Sequence, residues 1–372
     1  MVATDEAAQE EAQARERAAI FAACDHCVGG HGRVRPHAEL ADLAQATAAD
    51  EEPDRYGTGA LIEEFEREVA TLLGKEAALF LPSGTMAQQI ALRIWSERRG
   101  CRTVAFHPTC HLEMHEQKGY QLLHGLHGRL VGDPHALVTL KDLMDVAEPV
   151  AALLLELPPR EIGGQLPAWD ELQAQVAWAH QRGAAVHMDG ARLWEAGPFY
   201  GRSYAEIAAP FDSVYVSFYK GIGAIAGAAL AGPADVMAEA RVWQRRHGGT
   251  LVCLYPFVLS ARLNLRRRLE RFPAYHQRAV SIARTLAAVP GIALTPDPPQ
   301  TRMMHVYLHG ERALLEAAAL DIARAERVAL FPHLRPTDVP GWSMFELSIG
   351  DAAAALTDAQ IGAYFSSLPL TR

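Results

Sequence analysis

The sequence predicts an α/β protein: a mostly parallel sheet covered by helices on both faces, followed by a smaller α+β unit. Three observations carry this expectation. Short apolar runs recur through the first two thirds of the chain, each separated from the next by a helical or irregular segment. From about Tyr255 the pattern changes to long helical stretches with a few short apolar runs between them. The chain has 372 residues, 49% of them hydrophobic, which is ample for one large core and one smaller one.

Residues 6–23 (EAAQEEAQARERAAIFAA) read as a helix with mixed charges and an apolar end. The stretch 24–58 is irregular, with breakers in CDHCVGGHGRVRP and EEPDRYGTG around a short helix near 38–48. LIEEFEREVATLLGK (61–75) has helical apolar spacing and stops at Gly74. Then ALFLP, TVAF, AALLLEL, AAVHMD and SVYVSFY follow as strands, with helices expected at 86–99 and 168–183. Beyond Tyr255, PFVLSARLNLRRRLERF, ERALLEAAALDIARAE and LTDAQIGAYFSSL read as helices around the runs MMHVYLHG, VALFP and MFELSIG. The expected division is an N-terminal helix and arm (1–50), a large domain (51–254) and a small domain (255–372).

Composition narrows the function. A net charge of −9 argues against a nucleic-acid surface, so anionic ligands need local basic sites. No apolar run approaches the ~18 residues of a membrane helix. The acidic start MVATDEAAQEEAQARER lacks a signal-peptide core, and five cysteines at low density suit reduced thiols. A cytoplasmic enzyme acting on a small molecule is the expectation, with neither a nucleic-acid nor a membrane partner.

Lys220 stands out, at the end of SVYVSFY and before a glycine-rich turn. A buried ammonium is costly unless it is paired or loses its proton. One reading of KGIGAIAG makes Gly221, Gly223 and Ala226 a dinucleotide fingerprint. A true fingerprint opens a helix after the first strand of its domain, whereas this one follows at least four strands and leads to a turn and a strand. The other reading makes Lys220 a reactive amine at the mouth of a sheet.

Other segments favour the second reading. LPSGTMAQ (81–88) is a strand end, a turn and a helix start, where Ser83, Gly84 and Thr85 offer N–H and hydroxyl groups to a phosphate. HMDGAR (187–192) ends an apolar strand with Asp189 and Arg192 at one rim. HPTCHLEMHE (107–116) clusters His107, His111 and His115, without a third ligand at convincing zinc spacing. Cys24 and Cys27 form a C-x-x-C with no second pair, so no metal site is expected. Pyridoxal 5′-phosphate (PLP) chemistry uses such parts together. A lysine that readily loses its proton forms a Schiff base, a carboxylate keeps the pyridine nitrogen protonated, a helix N-terminus holds the phosphate and an aromatic ring stacks on the cofactor.

GKEAALFLPSGTMAQ, HMDGARLWEA and DSVYVSFYKGIGAIAG together resemble the L-threonine aldolase and β-eliminating lyase family, and the likeness covers most of residues 52–250. The resemblance implies a PLP-dependent, fold type I (aminotransferase-like) enzyme. In it Lys220 carries the cofactor, Asp189 pairs with the pyridinium nitrogen, and Ser83, Gly84 and Thr85 hold the phosphate. His111 stacks on the ring and Arg192 lies beside cofactor and substrate. Arg245 reaches a neighbouring subunit's phosphate in a homodimer or homotetramer. The implied reaction cleaves a β-hydroxy-α-amino acid to glycine and an aldehyde; the alternative is a β-eliminating amino-acid lyase. The base for the β-hydroxyl proton is left open among His111, His115 and a held water.

The chain departs from the family in four places. The family's Ser-Asp-Thr reads Cys24-Asp25-His26, leaving Asp25 to position substrate. Its Asn-Thr-His-type loop reads LELPPREIGGQLP, so that histidine is missing and Arg160 lies near its place. Glu346 stands where an arginine normally clamps the substrate carboxylate, and Arg302 stands where an asparagine is common. Arg160, Arg192 and Arg302 are therefore the expected carboxylate clamp.

Overall fold

A computed structural model describes residues 14–371. Residues 14–23 are helical, and the rest of the helix expected over 6–23 lies outside the described residues. Two compact units are formed. The larger is His37–Pro273, and the smaller joins the described residues before His37 to the segment from Ala274 to Thr371.

The larger unit is built on a seven-stranded sheet. Its strands are β1 (Ala77–Leu81), β2 (Thr103–Phe106), β3 (His127–Leu130), β4 (Ala152–Glu156), β5 (Ala185–Gly190), β6 (Ser213–Ser217) and β7 (Ala228–Gly232). Their order across the sheet is β1-β7-β6-β5-β4-β2-β3. Every pairing is parallel except the two made by β7, which runs against its neighbours β1 and β6. The carboxyl ends of the other six strands therefore share one edge, where ligands bind in sheets of this kind.

Side-chain alternation decides which helix covers which face. Leu79 and Leu81 of β1 join Leu154, Tyr215 and Leu230 in a core with Ala87, Ile90, Ala91 and Ile94 of α2 (Gly84–Arg99). Phe80 points the other way, with ring contacts to Phe218 and to Phe65 on α1 (Ala60–Leu73). Gly74 ends α1 with a left-handed C-cap, as its position after the apolar stripe predicts. The helix expected over 168–183 is α3 (Trp169–Gln181), and α4 (Ala234–Arg246) follows β7.

The smaller unit carries a four-stranded antiparallel sheet of β8 (Ile292–Thr295), β9 (Met303–His309), β10 (Arg335–Pro336) and β11 (Trp342–Ser348), in the order β10-β11-β9-β8. Its helices include α5 (Arg312–Glu326) and α6 (Asp358–Ser366). Of the run VALFP only Val328–Ala329 forms a strand, pairing in parallel with His26–Cys27. β3 and β8 have no counterpart in the expected runs. Both are four-residue edge strands with partly or fully exposed side chains; HGRL of β3 has no apolar pattern, and IALT of β8 is apolar over only three residues.

Candidate active site

The carboxyl edge of the large sheet brings Asp189, Arg192 and Arg160 within electrostatic reach of Lys220, and Gln88 ties the helix capped by Ser83 to Asp189. Lys220 follows β6 by three residues and is half-buried. Burial and the nearby Arg192 guanidinium push its pKa down, against the opposing pull of Asp189 and Glu156. Gly223 then takes a positive φ of 74°, and the chain enters β7. No helix starts at Gly221, so the dinucleotide geometry is absent at this turn.

Asp189 lies near the end of β5 and is buried. One of its oxygens accepts from Gln88 Nε2 at 2.5 Å and the other from the Ala191 N–H at 3.0 Å. Directly across the parallel ladder sits Glu156, the last residue of β4. Burial, with the Asp189 charge beside it, raises the Glu156 pKa. The Glu156 Oε1 accepts the His111 N–H at 2.9 Å, while its buried Oε2 has no hydrogen-bond partner among the described residues. This gathering of two carboxylates, a lysine and an arginine is costly to bury unless the charges compensate one another.

Ser83 is the N-cap of α2, accepting from the Met86 N–H at 3.4 Å. Gly84 and Thr85 are the first residues of that helix, whose opening N–H groups have no carbonyl partner within it. Gly84 is required by close packing: a Cβ built there would lie 1.9 Å from the Tyr215 hydroxyl.

His111 opens the short helix His111–Met114, and its Nδ1 lies 2.9 Å from Glu116 Oε1. Gln89 Nε2 donates to the other Glu116 oxygen at 3.0 Å. His115 caps the same helix, with its Nε2 3.0 Å from Glu161 Oε1. Arg160 donates to that same oxygen at 3.0 Å. His107 is engaged by Thr109 Oγ1 and by the carbonyls of Asp133 and Ala136, so it belongs to the loop packing beneath. Among the described residues no group of three His, Cys, Asp or Glu side chains is placed to hold a metal ion.

Arg245 is exposed in the last turn of α4. Asp25 and Arg302 belong to the smaller unit. There Asp25 is paired with both Arg327 nitrogens, Nε and Nη2, and Arg302 donates to the Ile349 carbonyl. Glu346 lies on β11 opposite His305 of β9. Gln88, Glu116, Glu156 and Tyr215 were not among the expected site residues. Glu156 alone had a local signal, as the acidic end of an apolar strand.

Fold and edge together are those of the fold type I lyases. The chain belongs to the β-eliminating lyase family, whose model matches residues 35–310. It is similar to a solved structure from Listeria monocytogenes assigned as an L-allo-threonine aldolase, with 42% identity, a TM-score of 0.91, and coverage of 95% of this chain and 98% of that one. An aldolase of Penicillium aethiopicum is 31% identical over 303 residues, 76% of this chain and 75% of the relative. The low-specificity L-threonine aldolase 1 of Arabidopsis thaliana is 26% identical over 279 residues, 72% of this chain and 78% of the relative.

Proposed function

We propose that this PLP-dependent lyase cleaves β-hydroxy-α-amino acids of the threonine type to glycine and an aldehyde. The observation that carries the reading is the meeting of Lys220, Asp189 and the N-terminus of α2 at one sheet edge, in a chain of this family.

The residues present fit the cofactor. The depressed pKa of Lys220 leaves more of its amine unprotonated, and so nucleophilic, than an ordinary lysine has at the same pH. Asp189 keeps lone pairs beyond those used by Gln88 and Ala191, enough to accept from a protonated ring nitrogen. Ser83, Gly84 and Thr85 present the first N–H groups of a long helix to a phosphate. When bound, PLP supplies the electron sink that makes a bond at the substrate α-carbon breakable.

The protein's own groups do the rest. Lys220 is the residue that would hold the cofactor, through its side-chain amine. Arg192 and Arg160, both within electrostatic reach of Lys220, are the carboxylate-binding candidates of this unit. Fixing the carboxylate turns the Cα–Cβ bond toward the orientation in which it breaks, an effect of position alone. His111, held by Glu116, is the residue that would stack on the cofactor ring. Arg245 extends this reading to a second copy of the chain, whose phosphate it would contact.

The test is glycine release from a panel of β-hydroxy-α-amino acids, threonine and phenylserine included, by the cofactor-loaded protein and by Lys220→Ala. Glycine from the wild type, and background release from the variant, is expected. A 2-oxo acid and ammonia in place of glycine would instead identify a β-eliminating lyase.

A further inference from the structure

We propose that His115, oriented by Glu161, is the base that takes the β-hydroxyl proton of the substrate. The assignment rests on the aldolase reading and adds the identity of its base.

Two histidines flank one short helix, and each is tied to a different carboxylate through a different nitrogen. His111 uses Nδ1 on Glu116, and His115 uses Nε2 on Glu161. A carboxylate offers lone pairs only, so the imidazole proton lies on the bonded nitrogen. That leaves the lone pair of neutral His111 on Nε2 and that of His115 on Nδ1.

The two rings are 5.2 Å apart and inclined by 48°. With His111 assigned to the cofactor ring and tied to Glu116, His115 is the neighbouring imidazole, and its Nδ1 is left for a group on the substrate.

The loop after β4 supports the same division. PPREIGG carries no histidine, yet Arg160 and Glu161 there are bonded to each other, and Glu161 is bonded to His115. Arg160 also acts electrostatically on Lys220, which ties this cluster to the lysine edge. An imidazole missing from the loop is thus supplied from the facing helix, with Glu161 as its positioning residue.

In the step, the β-hydroxyl O–H bond breaks and its proton passes to His115 Nδ1. The O–H electron pair becomes the second bond of the aldehyde carbonyl. The Cα–Cβ pair remains with the α-carbon, which then takes a proton to become glycine. No oxidant or further reactant is needed.

His115→Asn and Glu161→Gln, made in the full-length enzyme and loaded with cofactor, test this. In His115→Asn, glycine release should fall by about 10²- to 10⁴-fold. The visible absorption of the bound cofactor and its change on adding glycine should be preserved. Exchange of the glycine α-hydrogen in D₂O should also persist, because it needs no base at a β-hydroxyl. Glu161→Gln should lower kcat for glycine release while leaving KM and the glycine-induced absorption change near wild type, because it disturbs only the orientation of the His115 ring. A merely structural role would lower the absorption change together with kcat. Near-wild-type cleavage by His115→Asn would overturn the assignment, as would parallel loss of the glycine-induced absorption change. If the wild type binds glycine but cleaves no β-hydroxy-α-amino acid, the aldolase reading falls and the assignment with it.

Discussion

His187 and Asp189 lie two residues apart on β5, on the same face of the sheet, and both are buried. Their surroundings make opposite use of burial. Asp189 stands at the carboxyl edge, where Gln88 and the Ala191 N–H bond it and where Lys220 and Arg192 gather. His187 lies one step inward, with its Nδ1 2.8 Å from Ser213 Oγ. Trp95 Nε1 donates to that same oxygen at 2.8 Å. An indole N–H can only donate, so the serine oxygen accepts from Trp95 and has both a proton and a second lone pair to offer His187. The histidine is held neutral, and burial pushes its pKa down to about 4. Charge is thus collected at the rim, where opposite charges and a ligand can compensate it. The layer beneath is polar but neutral. A buried polar side chain marks a reactive site here only when other charges converge on it.

Changes at the rim should therefore cost activity, and changes beneath it should cost stability. Asp189→Asn is the strongest of these tests, with an expected loss of about 10²- to 10³-fold in kcat/KM for glycine release. It should also lower the Glu156 pKa, because the Asp189 charge is one of the two causes raising it. Steady-state rates and the pH titration of the bound cofactor's absorption measure both effects. A loss below about tenfold would mean that charge at this strand end is not what the rim is built to hold.

Glu116→Gln probes a smaller effect at the same rim. An amide keeps the shape of the carboxylate but can turn an N–H toward His111 Nδ1, which would move the imidazole proton to Nε2. A loss of up to about 100-fold is expected, through misorientation of His111 rather than loss of a reacting group. Glu116→Asp should recover part of it. Equal activity in Glu116→Gln and wild type would assign the His111–Glu116 pair to packing of the loop.

Much of this division was legible in the sequence. SVYVS and AAVHMD are apolar enough to be read as buried strands, and the residues at or just beyond their ends, Asp189 and Lys220, follow from strand polarity alone. The SGT turn marked the start of α2 through its capping chemistry. What remained hidden is pairwise and distant. Gln88 is an ordinary helix residue until the fold brings it to Asp189, and Glu116 has no meaning until His111 faces it. Glu156 reads as a strand end, and only the β4–β5 register sets it beside Asp189. β3 escaped because its HGRL lies at an edge, where no apolar pattern is needed.

The layer beneath the rim yields the smallest expected effect on activity and the clearest pH signature. A free imidazole has a pKa near ~6.5, above the value of about 4 for folded His187. Between these values the unfolded chain binds a proton that the folded one does not, so stability falls as the pH drops through this window. The full difference is worth about 3 kcal/mol for this one buried group. His187→Gln keeps a hydrogen-bond partner for the Ser213 hydroxyl but does not titrate. Its urea midpoint at pH 7 should be modestly lower than that of the wild type, and its further decline toward pH 4.5 should be shallower. His124, also pushed down to about 4 by burial and by His247, remains in the variant, so some acid sensitivity persists. Glycine release at pH 7 should be nearly unchanged. Loss of activity comparable to that of Asp189→Asn would show that the neutral layer takes part in the chemistry, and the distinction between rim and interior would fail.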